Sequence, residues 1–239
     1  HSHYDHCYGN AQFDKVYCHE YEYDAIMSKN NPDIWDYLFN QTDHDIDVWG
    51  KTIHPGEPVY TEFDKKDIIV DIEHKETYKP YEVIPVEDGH MFDLGDGYLV
   101  EAVLLPGHTM GQCGFYDHQN HTLCCGDVTG IGRQSAGTPH GEYCTVEALH
   151  DALTKLQPRF KDISGVFPGH GAWDVSPLCL QYLLDTTNAI MMNPENYDKK
   201  SEFERDGKKM ISLTKNIHQW TALRYSLNRV YKQQFLKDK

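Results

Sequence analysis

The chain opens on His1-Ser2-His3-Tyr4-Asp5-His6, which places three imidazoles and a carboxylate within six residues. Imidazole nitrogen and carboxylate oxygen together suit zinc, and also iron or manganese. In a chain with 15 histidines one of them alone says little. Four donors at this spacing, among small and polar spacers that suit a loop, read as a ligand cluster.

Three further segments repeat one local design: an apolar run, then a glycine, then a side chain able to bind metal. They are LLPGH ending in His108, LCCGD ending in Asp127 and VFPGH ending in His170. Each run predicts a strand, and each glycine a permissive turn that swings the next residue off the strand end. Donors far apart in sequence would then converge on one cleft.

The surrounding pattern is that of a mixed fold. Val16 to Cys18 is a short apolar piece, and Tyr21 to Ser28 and Asp33 to Phe39 are candidate helices. The stretch from Gly50 to Pro80 is charged and irregular, so residues 20–80 read as a candidate lid or surface insertion. From Glu82 onward, short apolar runs are split by Gly and Asp, as successive strands and tight turns are. Tyr98 to Leu105 predicts a strand covered on both faces, while Cys113 to Tyr116 and Thr122 to Cys125 predict a pair joined by the polar turn DHQNH.

A helix is expected from the N-cap Thr145, with Val146, Leu149, Leu153 and Leu156 on one stripe and Pro158 stopping it. Ile163 to Phe167 reads as a strand, and Ser176-Pro177 begins a helix running to about Met191. The tail predicts a helix and a last strand, Trp220 to Tyr231. There is no internal repeat and no low-complexity linker, so residues 1–239 are expected to be a single domain.

HSHYDH, PGHTMGQ, CCGD and FPGHG stand in the order and approximate spacing of the metallo-β-lactamase superfamily, which the chain resembles from His1 to about Met191. The resemblance implies an αββα sandwich of the α+β class. Several strands precede the HxHxDH loop in that family, so the chain is expected to lack its N-terminal strands and to expose a strand edge or apolar face. It implies two metal ions, zinc first, with iron or manganese as alternatives. His1, His3 and His108 would hold one ion, Asp5, His6 and His170 the other, and Asp127 would bridge both. Asp5 and Asp127 are thus the candidate catalytic carboxylates. A hydroxide between the ions would be the nucleophile, because coordination lowers the pKa of water from about 15.7 to about 7.

A bridging carboxylate in CCGD resembles the glyoxalase II and lactonase branches rather than the zinc β-lactamases. GDVTGIGR, with Gly132 and Arg133, is similar to a glyoxalase II element. The expected activity is therefore hydrolysis of a small ester, thioester or lactone. The rivals are a mononuclear-iron oxidoreductase resembling the persulfide dioxygenases and a metal-dependent phosphodiesterase or nuclease. Arg133, His140 and Trp173 are weaker candidates for substrate contact. Cys7, Cys124 and Cys125 could be proposed as thiolate ligands, with buried structural thiols as the alternative.

Composition narrows the partners. Lys plus Arg total 22 against 37 Asp plus Glu, a net charge of −15, which repels polyanions at long range. Nucleic acid is an unexpected partner, and a small molecule the expected one. No run of 18 apolar residues suggests a membrane span. Seven scattered cysteines fit reduced thiols in a cytoplasm. With His1 already inside the strongest motif, the chain is expected to be a fragment, and any signal peptide would lie ahead of it.

Overall fold

The computed structural model describes residues 1–34, 36–37, 40, 76–134, 137–172, 174–205 and 207–237. The described chain divides into two compact units. One comprises His1, Cys18–Glu22 and Pro85–Lys239, the other Ser2–Tyr17 and Tyr23–Ile84. The candidate helix Asp33 to Phe39 and most of the candidate lid fall partly or wholly outside the described residues.

The larger unit is built on a five-stranded sheet of order β3-β4-β5-β6-β7, with β3 Met91–Asp93, β4 Leu99–Leu104, β5 Cys113–Asp117, β6 Thr122–Gly126 and β7 Gly165–Pro168. The first three pairings are antiparallel and β6 with β7 is parallel. Strands β4, β6 and β7 therefore all run the same way. Their C-terminal ends lie at one end of the sheet, and each is followed within a few residues by His108, Asp127 or His170.

The parallel pair requires a crossover, and α3 (Val146–Leu156) provides it. The Thr145 hydroxyl accepts from the Ala148 N–H at 3.2 Å, the expected N-cap. Val146, Leu149, Leu153 and Leu156 are all buried, as the stripe predicts. Burying such side chains contributes about 1.5–3 kcal/mol each before chain entropy is counted. Pro158 does not stop the chain outright, because it sits in the first turn of a 3-10 helix, Gln157–Asp162, where its missing N–H costs nothing. α4 (Leu178–Met192) packs beside α3.

These helices share one core with Val103, Leu105, Tyr116, Leu123, Cys125 and Val166 of the sheet. Arg159 closes that face, reaching Glu101 on β4 through two hydrogen bonds of 2.9 and 2.8 Å and stacking over Tyr116 at 4.6 Å. The alternate side chains face the other way and are far less covered. Phe115 on β5 is 43% exposed and Phe167 on β7 36%, whereas β4 itself is covered on both sides at its centre, with Ala102 1% and Val103 7% exposed.

The tail departs from expectation. Instead of a helix and one strand it forms a three-stranded antiparallel sheet, β8 (Lys199–Arg205), β9 (Lys208–Asn216) and β10 (Ala222–Tyr225), in the order β10-β9-β8, with α5 (Lys232–Lys237) after it. Lysines and glutamates in KKSEFER hide the strand in β8, whose order comes from pairing with β9 rather than from burial. Tyr225 ends β10, and the expected strand residues beyond it are a 3-10 turn, Leu227–Arg229.

In the smaller unit His3 precedes a one-turn helix, α1 (Tyr4–Cys7), where a loop had been expected, and its carbonyl accepts the His6 N–H at 3.1 Å. α2 is Tyr23–Met27. β1 (Lys15–His19) and β2 (Glu82–Val86), whose residues are divided between the two units, form a two-stranded sheet. Asn30 fastens the chain ahead of β2, giving its Nδ2–H to the Tyr81 carbonyl at 2.7 Å and taking the Tyr81 N–H at 3.2 Å. Among the described residues no helix is long and apolar enough to cross a membrane.

Candidate metal centre

Two of the three strand-end glycines behave as predicted. Gly107 has φ +122° and Gly126 φ +63°, values that side-chain-bearing residues rarely adopt. Gly169 is not among the positive-φ glycines. It is placed instead by its N–H, which donates to the Gly126 carbonyl at 3.0 Å, tying the turn after β7 to the turn after β6.

Within the larger unit the three turns and His1 bring together four of the seven expected donors, with three imidazoles around one Asp127 oxygen. Asp127 Oδ2 lies 3.3 Å from His108 Nε2, 3.3 Å from His170 Nε2 and 3.7 Å from His1 Nε2. The His1 and His108 rings meet edge to face at 4.9 Å. Four-coordinate zinc with bonds of about 2.0–2.1 Å holds its ligand atoms roughly 3.3 Å apart. The donor types and their separations thus fit such an ion. All four residues belong to donor groups able to hold a metal, as do His3, Asp5 and His6. In the smaller unit Asp5 Oδ2 and His6 Nε2 are 3.7 Å apart on α1.

The loops that carry His108 and Asp127 are stitched together. His108 Nδ1 meets the Gly130 carbonyl at 3.0 Å. A carbonyl only accepts, so Nδ1 carries the proton of the neutral ring, which leaves the Nε2 lone pair on the Asp127 side available to a metal. The Gly132 N–H donates to the Gly107 carbonyl at 2.7 Å. A Cβ on Gly132 would lie 2.2 Å from the His108 carbonyl oxygen, so only glycine fits there. Beyond the loop, Ile131 and Arg224 pair through N–H to carbonyl at 2.8 Å, anchoring it to β10.

Of the weaker candidates, Arg133 places its guanidinium 4.7 Å over the Phe203 ring on β8. His140 has φ +58° and stacks on Tyr21 with ring centroids 4.0 Å apart. Trp173 lies outside the described residues. The cysteines read as thiols. Burial pushes Cys125 up to about 12, and Cys124 is raised for the same reason. The Cys7 thiol is directed at the Ser2 carbonyl at 3.5 Å. Among the described residues all seven cysteines are free of disulfides.

Two further residues have no role assigned from the sequence: Gln112, the last residue of PGHTMGQ, fully buried beside Asp127, and Glu22, a buried carboxylate that takes the Gly111 N–H at 2.9 Å. The cue for Gln112 was its place, a polar residue directly ahead of the apolar run Cys113 to Tyr116.

No family model matches the chain. It is 38% identical over 90 residues to the hydroxyacylglutathione hydrolase GloC of Haemophilus influenzae, a match covering 36% of this chain and 40% of that protein. It is 35% identical over 80 residues to the hydroxyacylglutathione hydrolase of Prochlorococcus marinus, covering 30% of this chain and 31% of the other. The chain thus matches less than half the length of these curated relatives. A metallo-β-lactamase family protein from Thermus thermophilus superposes with a TM-score of 0.41 at 15% identity, covering 82% of this chain and 60% of that one.

The ordered HxHxDH, GH, GD and GH motifs lie in a chain that is similar, over about a third of its length, to hydroxyacylglutathione hydrolases.

Proposed function

We propose that the chain is a two-ion metallohydrolase acting on a small ester, thioester or lactone, with a thioester the leading candidate. The observation that carries the reading is the meeting of three imidazole nitrogens within 3.3–3.7 Å of one Asp127 oxygen. A purely structural turn aspartate has no use for three such neighbours. In this reading His1, His3 and His108 hold one ion, Asp5, His6 and His170 the second, and Asp127 both. His3 follows His1 by two residues, so its Cα stands no more than about 7 Å from that of His1.

When bound, zinc ions supply Lewis acidity that polarises a carbonyl and lets a water ionise near neutral pH. The chain's own contribution is placement. Gly130 sets the His108 tautomer, and the common direction of β4, β6 and β7 delivers the donors to one end of the sheet. The glyoxalase II-like relatives favour a thioester, and the net charge of −15 disfavours a phosphodiester backbone.

The test is a substrate panel on zinc-loaded protein: a hydroxyacylglutathione thioester, a lactone, a β-lactam and a phosphodiester. Turnover of the thioester well above the rest is expected. Turnover confined to the phosphodiester, or oxygen consumption by protein holding one iron, would replace the reading.

A further inference from the structure

We infer that Gln112 is a positioning residue of this centre, clamping the backbone of Asp127 to the loop that carries His108. Its consequence for metal rests on the two-ion reading, whereas its geometry does not. The side chain is 0% exposed. Its Nε2–H donates to the Leu105 carbonyl at 3.1 Å, and its Oε1 accepts the Asp127 N–H at 3.1 Å. Its own backbone carbonyl accepts the Leu105 N–H at 2.8 Å.

Residue 112 thus closes the neck of the loop from Leu105 to Gln112 twice, once through backbone and once through side chain. The same carboxamide then holds the first residue after β6. The task needs a donor and an acceptor on one short planar group, which an amide has and a carboxylate or thioether lacks. A buried amide is costly unless both ends are bonded, and here both are. Gln112 therefore fixes the backbone spacing on which the 3.3 Å approach of His108 to Asp127 depends.

The experiment compares Gln112→Met, which keeps the length and removes both hydrogen bonds, with Gln112→Glu, which keeps an acceptor for Asp127. Two readouts are taken on each: amide hydrogen exchange at residues 127–130 in metal-free protein, and Co²⁺ affinity with its visible absorption spectrum. In Gln112→Met, exchange at the Asp127 amide should speed at least tenfold. Co²⁺ affinity should fall by about 10–100-fold with an altered spectrum, the scale of effect seen when groups supporting metal ligands are lost. Gln112→Glu should retain the Asp127 protection.

A lowered melting temperature with unchanged Asp127 exchange and an unchanged Co²⁺ spectrum would overturn the inference and leave Gln112 as ordinary core. If Gln112→Met does not fold, the wild-type amide decides. Protection at Asp127 comparable to the β5 and β6 amides supports the clamp, and exchange like an exposed turn refutes it. A wild-type chain that binds no Co²⁺ would sink the two-ion reading, while the exchange comparison would still decide the clamp.

Discussion

The ends of β4 and β7 deliver the same kind of donor in different ways. His108 sits in a loop tied to its neighbour by Gly130, Gly107 and Gln112, and its side chain is 22% exposed. His170 leaves β7 with a side chain 62% exposed, although its Nε2 reaches the same Asp127 oxygen at the same 3.3 Å. Equal distances therefore conceal unequal support. A donor whose tautomer and backbone are already set loses less entropy on binding metal, so the ion at His108 should be the tighter one.

Asp127 is common to both ends, and replacing it tests them together. Asp127→Asn keeps the size and removes the charge. Turnover should fall by orders of magnitude and metal content should drop toward one equivalent, with the circular dichroism spectrum retained. Since Asn forms turns as well as Asp, a variant with two metals and near-normal turnover would reduce Asp127 to a turn residue.

The two histidines should then separate. His108→Ala is expected to lower metal content more than His170→Ala does under the same dialysis, with the residual ion in His170→Ala the slower to exchange with chelator. Equal losses would show that the stitching around His108 does not govern affinity.

A smaller effect is expected from Gly132→Ala, which leaves every donor in place but drives a methyl group against the His108 carbonyl oxygen. Overpacking against backbone should cost about 3 kcal/mol in denaturant unfolding. It should weaken metal binding through the His108 loop more than through His170. Wild-type stability in this variant would mean that the loop is slack.

How much of this could be read from the chain follows from how local each signal is. His108, Asp127 and His170 were legible because each ends an apolar run at a glycine, and the helix of Val146, Leu149, Leu153 and Leu156 because its stripe has the helical period. Gln112 and Glu22 were not, because a buried polar side chain carries no periodicity and is explained only by partners 15 and 89 residues away. β8 was missed for the opposite reason, since its exposed charges look like loop. Its nine-residue partner β9 is likewise mostly polar at the surface.

The smallest expected effect lies away from the metal centre and calibrates the comparison. Burial by itself would raise the Glu101 carboxyl, but hydrogen bonds from Arg159 and His118 outweigh it and hold the group below the usual carboxylate range. A depressed folded value means the stabilisation is complete above the unfolded range, near about pH 4.3, and is lost as pH falls through the folded value. Glu101→Gln should thus cost about 1 kcal/mol at pH 7, discounted for partial exposure. The cost should fade in unfolding measured at successively lower pH, with metal content unchanged throughout. A cost independent of pH would assign the effect to packing instead.

Metal stoichiometry measured alongside thioester turnover, before and after chelation, bears most directly on the two-ion centre proposed at Asp127. Close to two equivalents of zinc per chain, with activity lost on chelation and restored by zinc, is the expected result. Full activity in chelated, dialysed protein, or a single tightly held ion at full activity, would contradict it.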